Sequence, residues 1–341
     1  MKEVLIIAEA GVNHNGDIDT AKRLIDVAVE AGVDLVKFQT FKADKIVSKQ
    51  AKKAEYQIAN TGDEDSSQYQ MLRQLELSEQ DHDDLMIYCS ERGIGFFSTA
   101  FDPEGLDYLN SLGFSRFKVP SGEITNYLYL KRLAEIGKPV ILSTGMADLK
   151  EIEQAIEVLT SVTLRKKDIT VLHCSTEYPT PMQDVNLLAM KTIGTSLGVQ
   201  VGYSDHTLGI EVPVAAVALG ATVIEKHFTI DRNLPGPDHV ASLEPHELKA
   251  MVQAIRNIEL AISGDAEKKP SPSEKKNIPI VRKSIHTSKE IKAGETLSES
   301  NLTILRPGTG ISPMEWPVVV GKVAKSDLAA NKLLSQDDYH G

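Results

Sequence analysis

Residues able to do chemistry recur along this chain at the ends of short apolar runs. Glu9 closes the first run and leads into Asn13 and His14, Lys37 and Gln39 close the second, and Ser98 and Thr99 the third. Lys118 is followed by Ser121 and Glu123, Ser143 and Thr144 precede Gly145, and His173 opens the stretch Ser175, Thr176, Glu177, Tyr178. Ser204, Asp205 and His206 end the seventh run, and Glu225, Lys226 and His227 the eighth. Two ammonium groups among Ser and Thr hydroxyls suit a phosphate ester: the lysines supply charge, the hydroxyls supply neutral donors, and Gly122 and Gly145 let backbone N–H groups approach. The same lysines could be solvated strand ends, or Lys37 or Lys118 could be a Schiff-base nucleophile.

His206 and His227 fall near the ends of neighbouring runs, where both imidazoles can reach one divalent ion such as Mn2+, Zn2+ or Fe2+. Asp205, Glu9 or Asp238 would then be further ligands or bases. A structural or acid/base pair is the other reading. Glu9, Glu123 and Asp238 are the acid/base candidates. A glycosidase needs two such carboxylates, but that chemistry leaves the lysine and hydroxyl pattern unexplained. No P-loop is present, which disfavours nucleotide hydrolysis. Cys174 reads as a buried small apolar group, because alternation along its run turns it away from His173 and Ser175.

The elements that must position these groups are short β-branched runs alternating with stretches of helical period. VLIIAEA is followed by a helix in which Ala21, Leu24, Ile25, Ala28 and Val29 share one face, with Asp17 placed to cap it and Gly32 to stop it. Seven more runs, beginning near 34, 93, 116, 139, 169, 199 and 222, bring the strands to eight. Eight βα units in about 265 residues predict an α/β fold of the (β/α)8 TIM-barrel type, whose reacting groups sit at the C-terminal strand ends. An open doubly wound sheet would show a G-x-G-x-x-G turn after its first strand, and none is there. The expected boundaries are a barrel over 1–265, a Lys/Pro/Ser-rich linker over 266–281, and a small irregular domain over 282–341. The segment 41–75 far exceeds an ordinary βα turn and is read as a lid over the mouth, with a disordered insertion as the alternative.

Composition bounds the class. The 341 residues are 41% hydrophobic and 25% charged, with 37 Lys and Arg against 48 Asp and Glu, a net charge of -11. That balance argues against a nucleic-acid or anionic-membrane partner, though not against a local basic pocket. No apolar run approaches the roughly 20 residues that span a bilayer, no signal peptide is evident, and two cysteines make no disulfide framework. A cytoplasmic enzyme is expected.

Taken together, IAEAGVNHNGD, LVKFQTFKAD, FFSTAFD, FKVPSGEITN, ILSTGMA, HCSTEYPTP, VGYSDHT, IEKHFT and GPDH, with IKAGE and LRPGTGIS in the tail, resemble the N-acetylneuraminate (sialic acid) synthase family, legionaminic acid synthases included. The resemblance implies a (β/α)8 barrel followed by a C-terminal SAF domain, similar to type III antifreeze proteins. It implies condensation of phosphoenolpyruvate with the open-chain aldehyde of an N-acetylated mannosamine-type sugar, with C–O cleavage, to a nine-carbon 2-keto acid and phosphate. Carried over by motif, Lys37, Thr99, Lys118, Ser121, Ser143, Tyr178 and Ser204 would face phosphoenolpyruvate, and His206 and His227 would bind Mn2+ or Mg2+. Glu123 would handle the proton of the added water, with Glu9 and Asp238 positioning water and sugar hydroxyls. Asn60 of the lid would contact the sugar, and Arg306 would reach across a domain-swapped homodimer to the N-acetyl group. Some members carry Asn where Thr176 stands. The FQTFKAD and HCSTEYPTP forms resemble the N-acetylneuraminate and legionaminate groups more than the pseudaminate group. The competing functions are a Schiff-base keto-acid sugar lyase and a non-catalytic sugar-binding protein.

Overall fold

The computed structural model describes residues 3–62 and 66–340. The chain divides into two compact units, Met1–Ser263 and Gly264–Gly341. In the first, β1 (Leu5–Gly11), β2 (Leu35–Thr40), β3 (Gly95–Ala100), β4 (Phe117–Val119), β5 (Val140–Ser143), β6 (Ile169–Cys174), β7 (Gln200–Asp205) and β8 (Val223–His227) form one eight-stranded sheet. All its ladders are parallel, in the order β3-β2-β1-β8-β7-β6-β5-β4. β3 also packs beside β4 without a ladder between them, which closes the barrel. Across that seam the buried Tyr129 hydroxyl lies 2.8 Å from the Ala100 carbonyl oxygen of β3 and 3.2 Å from that of Lys118 on β4.

Local signals set the helices. Asp17 accepts from the N–H groups of Asp19 and Thr20 to start α1 (Ile18–Ala31), and Gly32, at φ 78°, ends it in the left-handed conformation. Ala21, Leu24, Ile25 and Ala28 of that helix are fully buried against the outer face of the sheet. Inside the barrel the strands meet closely. A side chain on Gly202 of β7 would come within 2.4 Å of the Val223 carbonyl oxygen and 2.6 Å of Leu172, so only glycine fits there.

The segment read as a lid carries α2 (Ala43–Ile46), α3 (Glu55–Thr61) and α4 (Gln68–Gln74) before α5 (Glu79–Arg92). Its acidic residues Asp63, Glu64 and Asp65 lie outside the described residues. Met71 and Leu75 pack with Val12 and Phe41 in a small cluster of their own.

In the second unit, β9 (Ser284–Thr287) and β10 (Leu302–Leu305) pair antiparallel. Ile285, Ile291, Leu297, Leu302, Val319, Leu328 and Leu334 form its core. The stretch read as a linker belongs to this unit and contains two single-turn helices, Pro272–Lys275 and Ile278–Val281. No helix among the described residues is long and apolar enough to cross a membrane.

Candidate active site

A cavity of about 690 Å³ opens at the C-terminal ends of the strands. Parallel register gathers its polar groups into one layer: Glu9 of β1 pairs with Lys37 of β2 and His227 of β8, and Ser204 of β7 pairs with Glu225 of β8 and Cys174 of β6. Alternation then aims every second residue inward.

At its floor Lys37 Nζ lies 2.7 Å from Glu9 Oε2 and donates to Thr99 Oγ1 at 3.0 Å. Glu225 Oε1 accepts from Lys118 Nζ at 3.0 Å and from Ser204 Oγ at 3.1 Å, while its Oε2 stands 3.6 Å from Lys37 Nζ. Burial would raise the Glu225 carboxyl, but the Lys118 and Lys37 ammoniums outweigh it and hold the group down to about 2. For Lys37 burial works the other way and loses: Glu225 and Glu9 keep it charged, above the ordinary lysine value. Burial lowers Lys118 and raises Glu9, the Lys37 charge opposing the latter.

Beside this quartet stand the hydroxyls. Ser121 Oγ accepts from the Gly145 N–H at 3.0 Å and lies 3.3 Å from Cys174 Sγ. A Cβ on Gly145 would fall 2.9 Å from that oxygen and 2.5 Å from Thr176, so the approach requires glycine. Ser143 Oγ is buried without a hydrogen-bond partner, a donor left pointing at the cavity.

Another part of the wall is aromatic and imidazole, with His227 the register partner of Glu9. His206 and His227 have ring centroids 5.4 Å apart, and the His206 Nδ1–H donates to the Ser175 carbonyl, which leaves Nε2 with its lone pair. Burial lowers His206 to about 4, and burial with the neighbouring His206 takes His227 well below the imidazole range, so both rings are neutral. His227 Nδ1 has no hydrogen-bond partner, and Asp238 Oδ2 is 3.8 Å away. Burial pushes the Asp238 carboxyl up to about 7. No group of three or more His, Cys, Asp or Glu side chains among the described residues is spaced to hold a metal. Two neutral imidazoles and an orphaned ring nitrogen fit a divalent ion whose other positions are open to water and substrate oxygen.

The lid completes the wall. The Tyr56 ring of α3 stacks on Tyr178 with centroids 5.0 Å apart, and Tyr178 stacks on His206 at 4.0 Å. Ile46, Val47, Met71 and Leu72 give the lid side of the cavity an apolar surface. Glu123, half-buried in the turn after β4, accepts from Asn126 Nδ2 at 2.6 Å, and burial raises its carboxyl.

Of the residues singled out in the sequence, Glu9, Lys37, Thr99, Lys118, Ser121, Glu123, Ser143, Tyr178, Ser204, His206, His227 and Asp238 all line this cavity. Asn60 does not; its amide nitrogen donates to the Pro237 carbonyl at 2.7 Å and lies 3.3 Å from that of Tyr178. Arg306 belongs to the second unit, where it is exposed and its Nε donates to the Val281 carbonyl. Two expectations are corrected. Cys174 lines the cavity, whereas His173 faces away and is within 2.8 Å of the Val185 carbonyl, so the inward phase of β6 is shifted by one residue. Asp205 is turned from the mouth too, fully buried against Lys226 at 2.6 Å. Glu225 and Tyr56 are site residues whose roles went unassigned in the sequence. For Glu225 the signal was its i, i+2 spacing to His227, which puts both on one face of a strand.

Family models match the NeuB family over residues 24–268 and the SAF domain over 282–339. The chain is 53% identical to the N,N'-diacetyllegionaminic acid synthase of Campylobacter jejuni over 336 residues, 98% of this chain and 100% of that one. It is 50% identical to the enzyme of the same name from Legionella pneumophila, covering 96% of this chain and 92% of that one. Among solved structures, the N-acetylneuraminic acid synthetase of Leptospira borgpetersenii, in complex with citrate, superposes with a TM-score of 0.69 at 34% identity, over 81% of this chain and 90% of that one. A strand-end site in an eight-stranded barrel, family matches to both parts of the chain and half-identical relatives along nearly its whole length make this protein an enzyme of the NeuB family with a SAF domain.

Proposed function

We propose that the enzyme condenses phosphoenolpyruvate with the open-chain form of 2,4-diacetamido-2,4,6-trideoxymannose, giving N,N'-diacetyllegionaminate and phosphate. N-acetylmannosamine, giving N-acetylneuraminate, is the alternative substrate. One observation carries the reaction class: a buried lysine pair among Thr99, Ser121, Ser143 and Ser204 shares one cavity with two neutral histidines. The relatives at 53% and 50% identity, both N,N'-diacetyllegionaminic acid synthases, favour the diacetamido sugar.

In this reading Lys37 and Lys118 offset the charge of phosphoenolpyruvate, Ser121, Ser143 and Thr99 donate to its oxygens, and Ser204, which donates to Glu225, lies against it. Carbon 3 of phosphoenolpyruvate bonds to the sugar aldehyde carbon. Water adds to carbon 2, and cleavage of the bond between that carbon and the bridging oxygen releases phosphate. Glu123, half-buried with a raised carboxyl pKa, moves the proton of that water, while Glu9 and Asp238 orient water and sugar hydroxyls. His206 and His227 would hold Mn2+ or Mg2+, which supplies Lewis-acid polarisation of the aldehyde when bound. Tyr178 faces phosphoenolpyruvate, and Asn60, bonded to the Pro237 carbonyl, supports the sugar side from outside the cavity. The working unit is a domain-swapped homodimer in which Arg306 of one chain serves the sugar site of the other. Both cysteines are free and buried, which suits a reducing cytoplasm.

A Schiff-base lyase on the same barrel needs a neutral lysine, and the contacts of Lys37 with Glu9 and Glu225, which raise it, oppose that role for Lys37. The test is phosphate release from bridge-labelled [18O]phosphoenolpyruvate with a panel of mannosamine derivatives, with and without Mn2+. The expected result is metal-dependent release, fastest with the diacetamido sugar, and label in the phosphate. Borohydride trapping of a pyruvate adduct at Lys37 or Lys118, with no phosphate released, would overturn the reading.

A further inference from the structure

Asp238 stands in the connection between β8 and Leu243, its Oδ2 3.8 Å from His227 Nδ1. Its backbone is held in place. The Asp238 carbonyl accepts from Ser242 Oγ at 2.7 Å, and Ser242 Oγ in turn accepts from Asn13 Nδ2 at 2.9 Å. The other hydrogen of the same amide goes to the Phe228 carbonyl at 2.8 Å, one residue past His227. Asn13 and Ser242 are each 1% exposed. One carboxamide on the loop after β1 thus ties down both ends of the geometry between His227 and Asp238.

A second asparagine of that loop supports the next residue. His239 is fully buried; its Nδ1–H donates to Thr229 Oγ1 at 2.7 Å, and Asn15 Nδ2 approaches its Nε2 at 3.3 Å. Gly236, at φ 151°, lies beneath this ring, where a Cβ would come within 2.7 Å of it and 2.9 Å of Asn15 Oδ1. Neither asparagine lines the cavity, and neither has a role in the condensation itself.

We propose that Asn13 is a positioning residue that fixes the spacing between His227 and Asp238 through its paired hydrogen bonds to the Phe228 carbonyl and Ser242. A primary amide supplies what this place needs, because both contacts require a donor, while its Oδ1 is left buried without a partner. Aspartate has the same shape and donates neither bond. The inference rests on the proposed roles of His227 and Asp238.

The experiment compares wild type with Asn13→Asp, Asn13→Ala, Ser242→Ala and the Asn13→Ala/Ser242→Ala double variant. Three quantities are read: the melting temperature, the Mn2+ dissociation constant of the substrate-free protein from the EPR signal of free Mn2+, and kcat and KM for phosphoenolpyruvate separately. Outer-shell partners of metal ligands typically carry a 10- to 100-fold effect. The expected result is Mn2+ affinity and kcat each down about 10-fold or more. The KM for phosphoenolpyruvate should stay within about 2-fold, because its contacts lie on other strands. The double variant should be no worse than Asn13→Ala alone. Should Asn13→Asp fail to fold, Ser242→Ala, which removes one oxygen and adds no charge, carries the same prediction. Unchanged Mn2+ affinity and kcat in folded variants, or additive losses spread equally over KM, overturn the positioning role. A wild type that neither binds Mn2+ nor releases phosphate overturns the functional reading, and this inference with it.

Discussion

The buried quartet sets two lysines, Lys37 and Lys118, against two carboxyl groups, Glu9 and Glu225. An isolated pair of buried ammoniums would be costly; Glu225 and Glu9 hold Lys37 above its ordinary value, and Glu225 opposes but does not cancel the lowering of Lys118 by burial. Asp238 has no such partner. Burial pushes its carboxyl up to about 7, so the folded chain holds that proton more tightly than the unfolded chain does. The linked stability is complete below the ordinary carboxylate value of about 4 and is lost as pH rises through about 7. In EDTA, Asp238→Asn is expected to be more stable than wild type at pH 8, by up to a few kcal/mol, and to match it near pH 4 while losing turnover. Urea midpoints at the two pH values check this; equal midpoints at pH 8 would show that the ionised carboxylate is well tolerated there. The identity of these groups was legible in the sequence, because their residue types at strand ends are the signal. Their pairing was not, since Glu225 meets Lys118 only when β8 and β4 face each other across the barrel.

At the level of elements, the strands announced themselves by β-branched runs, and the helices by caps such as Asp17 and Gly32. Phase was harder to read. A strand buried on both faces shows no polar alternation, so ITVLHC gives no sign of whether His173 or Cys174 points inward. In the lid, the S-x-x-Q of Ser67 and Gln70 forms a capping box, a local signal hidden by the charged composition around it. The lid meets the site through the stack of Tyr56 on Tyr178 on His206. Such a pair contributes about 0.5–1.5 kcal/mol, so Tyr56→Ala is expected to raise the sugar KM about 3- to 10-fold. Tyr56→Phe, which keeps the ring, should stay near wild type. Steady-state kinetics with saturating phosphoenolpyruvate separates them, and equal effects of the two substitutions would assign the role to the hydroxyl instead.

Over the whole molecule, the alternation of eight strands with helices identifies the barrel, and the loss of long helices after residue 263 marks the second unit. The sequence gives no hint of where the ring lacks a ladder, because register is a property of facing strands. That seam depends on Tyr129, whose hydroxyl lies within hydrogen-bonding distance of a carbonyl on each side. Tyr129→Phe leaves those buried acceptors short of a donor and is expected to cost about 1–3 kcal/mol, read from urea unfolding. A loss below about 0.5 kcal/mol would mean that packing alone closes the ring.

The seam has a further consequence. An eight-stranded sheet whose ladder runs from β3 round to β4 has two edges, and an exposed edge is a template for pairing with another chain. Here each edge shields the other, with the phenol placed over acceptors that a foreign strand would seek. Partial opening at this line would expose two unpaired strand margins at once.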